Sequence, residues 1–198
     1  KVLDTYRGIG LVNEVLAASN ENAHSEILQV YSGKSGIGHT RYATFGKSDI
    51  SYAQPFERKE GRKWKWFSFA FNGNIANYFE LRQKLEEKNF HFMLKSDTEV
   101  IMHNLAYGLR GETKPEIIDV FRHLGETFDG SYNIVFVNGD GDLVACRDPL
   151  GIKPLVWGEN EELIAVASES SALTQLVIEK TFSIKPGEIV HVSSDGLI

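Results

Sequence analysis

Apolar positions change their period along this chain, and the changes divide it into three stretches. The first is the least regular. Gly8-Ile9-Gly10-Leu11-Val12 predicts a short buried strand, and residues 13–31 alternate between weak helix signals and polar turns. Ser35 to Tyr42 predicts a strand, with Ile37 and His39 on one face and Gly38 and Thr40 on the other. Phe45 to Gln54 has no apolar period and predicts a loop closed by Pro55; Glu57 to Lys63 predicts a charged hairpin tip. Trp64 to Phe71 then carries bulk on both faces, which places it inside a layered sheet. It is expected to end at Asn72-Gly73, a pair that tolerates positive φ.

The middle stretch has helical spacing. Asn77 can cap a helix running to about Lys88, with Tyr78, Leu81 and Leu85 on one stripe. Asp97 can cap a second, with Val100, Ile101, Leu105 and Leu109 inward, although Ser96 competes for the cap. Pro115 suits the first turn of a third, with Ile117, Ile118, Phe121 and Leu124 inward. After Gly130 the period becomes two. Tyr132 to Val137 and Leu143 to Arg147 flank Asn138-Gly139-Asp140-Gly141-Asp142, a hairpin signal. That turn departs from a calcium loop, with glycine at its fourth position rather than its sixth. Strands near 154–157 and 163–167, a short helix near 170–177, and a strand at 188–192 complete the pattern. Strands, then helices, then strands imply an α+β layered fold with mainly antiparallel pairing.

Composition narrows the class. At 198 residues one domain with one sizeable core is the default. A net charge of -6 argues against a generic nucleic-acid or anionic-membrane binder, which needs a basic face. No apolar run approaches the roughly 20 residues of a membrane helix. The single cysteine, Cys146, precludes a disulfide within the sequence and suits a reducing cytoplasm. No signal peptide is visible, but Lys1 is not an initiator residue, and Ser194-Asp195-Gly196-Leu197-Ile198 turns into a strand that stops at once. The chain reads as an excerpt.

Three positions carry candidate chemistry, each with a plain alternative. Arg41 ends a strand that otherwise reads as buried; it is a clamp for a substrate carboxylate or half of a structural ion pair. Asn72-Gly73 offers a side-chain amide and a backbone N–H to a developing oxyanion, or is a good turn. Asp97 meets a substrate ammonium, or is an ordinary helix cap. Cys146 sits mid-strand in Val144-Ala145-Cys146-Arg147-Asp148 and reads as a small buried hydrophobe rather than a nucleophile. The six histidines form no i,i+4 pair and no Cys/His cluster, so no structural zinc site is expected.

Taken together the motifs resemble a known family. Gly36-Ile37-Gly38-His39-Thr40-Arg41-Tyr42-Ala43-Thr44, Ala53-Gln54-Pro55-Phe56, Phe71-Asn72-Gly73-Asn74-Ile75, Asp97-Thr98-Glu99-Val100-Ile101, Arg147-Asp148-Pro149-Leu150-Gly151-Ile152-Lys153-Pro154-Leu155 and Ser168-Glu169-Ser170 resemble the class II glutamine amidotransferases. The nearest branch is the glutaminase domain of the amidophosphoribosyltransferases, over about Gly8 to Val192. The resemblance implies an N-terminal-nucleophile hydrolase fold, a four-layer αββα sandwich of two antiparallel sheets. It implies that Arg41 holds the glutamine α-carboxylate, Asp97 holds the α-ammonium, and Asn72 and Gly73 form the oxyanion hole. Tyr42 and Thr44 would line the pocket, and Phe45 to Gln54 would close over it. The implied activity is hydrolysis of glutamine to glutamate and ammonia, which passes to phosphoribosyl pyrophosphate in purine nucleotide biosynthesis.

The family nucleophile is a cysteine at the mature amino terminus, whose α-amino group serves as base. Residue 1 here is lysine, and an early arginine-glycine turn of the family is also missing. The expectation is a single glutaminase domain over 1–198, without its nucleophile segment and without the phosphoribosyltransferase half that would follow Ile198. No cofactor is implied for this domain; Mg2+ is implied only for the transferase half. L-glutamine is the implied ligand, with a phosphoribosyltransferase domain in cis or trans and other copies of the chain as partners. Two rivals stay open: a catalytically inactive glutamine-sensing or interaction domain, and a glutaminase domain serving another acceptor such as a sugar phosphate.

Overall fold

The computed structural model describes residues 2–41 and 49–193, together with the backbone of 196–197. Two short helices, α1 (Val12–Val15) and α2 (Glu21–Val30), precede a 3-10 turn at Ile50–Tyr52. Strands β1 (Phe56–Arg58) and β2 (Phe67–Ile75) follow, then helices α3 (Tyr78–Glu86), α4 (Asp97–Gly108) and α5 (Ile117–Thr127). The remainder runs β3 (Gly130–Asn138), β4 (Leu143–Arg147), β5 (Val156–Glu159), β6 (Ile164–Ala167), α6 (Ser170–Thr174), β7 (Thr181–Ser183), β8 (Ile189–Ser193) and β9 (Gly196–Leu197). One antiparallel sheet has the order β1-β2-β3-β4-β8-β9, and a smaller one the order β6-β5-β7.

Alternation along the strands builds the layers. Phe67, Phe69 and Phe71 of β2, Ile134 and Phe136 of β3, and Val144 and Cys146 of β4 face α3, α4 and α5, which return Leu81, Leu85, Val100, Ile101, Leu105, Phe121 and Leu124. Val135 and Ala145 point the other way, onto Leu155, Trp157, Val166 and Ile184 around the smaller sheet. Trp157 therefore faces inward, while Gly158 beside it faces Ile178 just after α6. Helix α6 packs on β5 and β6 and supplies the outer layer there. The result is the αββα order. Fully burying a phenylalanine contributes about 1.5–3 kcal/mol. A one-residue slip of β2 would put the small Ser68 and Ala70 in the helix-side places of Phe67 and Phe69, both fully buried, so its register on β3 is firmly specified.

Several local expectations are corrected. Gly8 to Leu11 is not a buried strand: it is exposed bend leading into α1. Residues 35–41 run without regular pairing, and Tyr42 lies outside the described residues. Trp64 belongs to a 3-10 turn at Lys63–Lys65, so β2 starts three residues later than its bulk suggests. Asn77 occupies the N-cap of α3, but its side chain donates to the Thr127 carbonyl and accepts from the Asp129 N–H, joining the two ends of the helical layer.

The largest correction concerns Asn72-Gly73. It is not a turn. β2 continues through it to Ile75, with Asn72 opposite Asn133 and Gly73 opposite Tyr132. A Cβ on Gly73 would come within 2.7 Å of the Tyr132 Cα, and closer still to the Ser131 carbonyl oxygen. Glycine is needed here for close approach of two backbones, not for turn geometry.

Candidate active site

The hydrogen bonds of β2 show which of its groups are spent. In an antiparallel pair, alternate residues turn both backbone groups toward one neighbour. Phe67 and Phe69 pair with β1. Beyond β1 the side-chain amide of Gln54 takes over: Phe71 N–H donates to Gln54 Oε1 at 2.6 Å, and Gln54 Nε2 donates to the Phe71 carbonyl at 3.0 Å. Two pairs further on, Ile75 N–H donates to Asp97 Oδ2 at 2.9 Å. Gly73 lies between them and faces the same way. Its partner in register, Tyr132, turns to Asp148 instead, accepting from the Asp148 N–H at 2.8 Å and donating to Oδ2 at 3.3 Å. Among the described residues nothing accepts the Gly73 N–H, although the groups on either side of it along this edge are bound.

This gap opens into a cleft of about 1030 Å³. Its walls bring together Arg41, Asn72, Gly73 and Asp97, along with His39, Gln54, Tyr78, Lys95 and Lys153. Asn72 points to the face opposite Phe71 and is exposed. The half-buried Arg41 guanidinium stands 5.7 Å over the Tyr52 ring. Tyr42 and Thr44, expected to line this pocket, lie outside the described residues, as do residues 45–48 of the expected closing loop.

Asp97 is not the helix cap. Ser96 is, its hydroxyl accepting from the Glu99 N–H, which places Asp97 on the first turn of α4. Burial pushes the Asp97 carboxyl up from its ordinary value, and the Ile75 N–H pulls it partly back. A half-buried carboxylate of this kind gains from a bound cation. The segment before it is held by Glu99, which is 4% exposed and accepts from Met93 N–H at 2.8 Å and Leu94 N–H at 2.6 Å. On the opposite wall, Arg147 donates to the carbonyls of Gly151, Lys153 and Ile184, and Asn133 donates to the Pro154 carbonyl at 2.7 Å, fixing the stretch that carries Lys153. His39 is held below its ordinary value, chiefly by burial, and its Nδ1 is buried without a hydrogen-bond partner.

Cys146 is in the helix-side core, 4% exposed, and burial pushes its thiol up to about 12. It is not a nucleophile. In the sequence Gln54 and Glu99 stand only as members of longer motifs. Their roles depend on which backbone groups lack a strand partner, and only the pairing reveals that. Among the described residues, no three His, Cys, Asp or Glu side chains are placed to hold a metal ion, and no helix is long and apolar enough to cross a membrane.

Comparison with known proteins gives the family. The family described as a glutamine amidotransferase domain matches residues 21–186. The chain is 38% identical over 190 residues to an amidophosphoribosyltransferase of Methanothermobacter thermautotrophicus, covering 96% of this chain and 37% of that protein. It is 40% identical over 200 residues to amidophosphoribosyltransferase 1, chloroplastic, of Arabidopsis thaliana, covering 100% and 32%. A solved structure described as the allosteric regulatory enzyme of purine biosynthesis superposes with a TM-score of 0.79 at 27% identity, over 95% of this chain and 38% of that one. The chain thus spans about a third of the length of these curated relatives. With its two antiparallel sheets, its helices and its cleft at the open edge of β2, this chain belongs to the glutamine amidotransferase domain family, of the N-terminal-nucleophile type and resembling the domain of amidophosphoribosyltransferase.

Proposed function

We propose that this domain binds L-glutamine in the cleft beside β2 and catalyses hydrolysis of its side-chain amide. The observation that carries the reading is the unclaimed Gly73 N–H, set between Gln54 and Asp97 on a strand whose register is fixed. A zwitterion fits the cleft: Arg41 takes the α-carboxylate and Asp97 takes the α-ammonium, an interaction that offsets the burial of its carboxylate. The amide carbonyl then lies toward Gly73 and the Asn72 amide. As a nucleophile adds to that carbon, the oxygen becomes an anion, and a donor fixed in advance stabilises it by about 3 kcal/mol. The nitrogen takes up the proton given up by the nucleophile, the C–N bond breaks and ammonia leaves, and water then cleaves the bond between the acyl group and the nucleophile to release glutamate.

The nucleophile implied by the resemblance is a cysteine at a mature amino terminus, and Cys146 cannot replace it. The ammonia passes to phosphoribosyl pyrophosphate on a transferase domain, where any Mg2+ belongs, and the protein works in purine synthesis. Cytoplasm is the proposed compartment. The rival reading, a domain that senses glutamine without hydrolysing it, needs no such cysteine. N-terminal sequencing and intact mass of the native protein separate the two, because only the first requires a processed cysteine. For the clamp, Arg41→Ala in a glutaminase assay on the native protein is expected to raise KM roughly 10–100-fold, the loss of one charged hydrogen-bonded pair. An unchanged KM removes that role.

A further inference from the structure

We propose that Gln54 is a positioning residue for the oxyanion donor, replacing a strand with a side chain so that the Gly73 N–H stays open. The inference rests on the glutaminase reading above. The register of β1 on β2 pairs Phe56 with Phe69 and Arg58 with Phe67. Continuing it backwards would set residue 54 opposite Phe71 and residue 52 opposite Gly73. A strand of ordinary length would therefore run its backbone across Gly73 and consume the N–H that the chemistry needs.

The chain avoids this within three residues. β1 starts only at Phe56, and Ile50–Tyr52 turns away as a 3-10 turn. Phe71 would then have no strand partner at this edge for its N–H and carbonyl, although His39 also bonds to the Phe71 backbone, and an unpaired buried N–H is costly. The Gln54 amide satisfies both at once, as a donor at 3.0 Å and an acceptor at 2.6 Å. Only a side chain with one donor and one acceptor of this reach does so: a carboxylate would confront the Phe71 carbonyl, and a methionine would satisfy neither group. On the other side Asp97 accepts from the Ile75 N–H. Gly73 is left as an open position between two side-chain pairs, and its peptide is anchored at both neighbours.

The test uses the native protein with Gln54→Met, which keeps length without hydrogen bonds, and Gln54→Glu, which keeps the acceptor for Phe71 and loses the donor. In steady-state glutaminase assays Gln54→Met is expected to lower kcat roughly 10–100-fold, as a displaced donor does, with KM within about threefold of wild type because Arg41 and Asp97 are untouched. Gln54→Glu is expected to fall between the two. A merely structural role would instead lower the amount of folded enzyme and leave the kcat of the folded fraction intact; that result, or an unchanged kcat for Gln54→Met, overturns the proposal. If the wild type itself hydrolyses no glutamine, the functional reading fails. Amide NMR then decides the positioning role on its own: Gln54→Met must speed exchange at Phe71 and shift the Gly73 resonance, and an unchanged spectrum at both overturns it.

Discussion

Replacing Gly73 with alanine perturbs the fold and the proposed chemistry through a single methyl group. The added Cβ would lie 2.7 Å from the Tyr132 Cα and 2.9 Å from the Ser131 carbonyl carbon, inside the 3.0 Å below which such contacts are essentially not found. All of these obstacles are backbone, so no side chain can swing away. β2 and β3 must part locally by some tenths of an ångström to about 1 Å, with Phe71 and Ile75 still anchored on either side. Overpacking of this kind costs about 1–3 kcal/mol. For a domain of this size each kcal/mol lowers the melting temperature by about 2–4 °C. Displacing the N–H by that amount removes much of the oxyanion stabilisation, so kcat is expected to fall by about 10²–10³. Melting curves and glutaminase kinetics on the same preparations separate the two effects. Gly36→Ala is the control, because nothing lies within 4 Å of the added carbon. A Gly73→Ala protein that melts and turns over like wild type would refute both the close approach and the placement of the donor.

Two further substitutions follow from burial. Asp97→Asn keeps an oxygen for the Ile75 N–H but removes a charge that burial disfavours. Because the folded carboxyl is raised, the unfolded chain gives up its proton first. The penalty is therefore absent below the ordinary carboxylate value and complete above the raised one. The variant should melt higher than wild type at pH 7, with the difference vanishing as the pH falls below about 4, while its affinity for glutamine drops; equal melting at pH 7 would contradict the burial argument. Cys146 should resist alkylation in the folded protein at pH 8 and react on unfolding, and Cys146→Ala should leave kcat unchanged; a large loss of kcat without loss of fold would return it to the list of nucleophiles.

Much of the architecture was legible in the residues. The period-two stretches after Gly130 and the three apolar stripes at 78–85, 97–109 and 117–124 mark the elements that bury the most surface, and there pattern and packing coincide. Gly8–Val12 and Ser35–Arg41 misled because short apolar alternation also occurs in exposed chain: Ile9, Leu11 and Val12 are all exposed. Asn72-Gly73 misled for a different reason. The pair has turn chemistry, but nine residues of register on β3 outweigh that local preference. Arg41, Asn72, Gly73 and Asp97 were singled out by residue type and order, and all four line one cleft. Gln54 was passed over because its importance comes from a missing strand partner, which no local pattern encodes.

The central claim is that one backbone N–H of β2 is left open for the substrate between two that are held. Residue-resolved amide exchange on the native protein tests it directly, with and without saturating L-glutamate, the product that keeps both α-groups. The account predicts slow exchange at Phe71 and Ile75, fast exchange at Gly73, and selective slowing of Gly73 when the ligand is added. Uniform protection across the three residues, or a Gly73 amide indifferent to ligand, would contradict it.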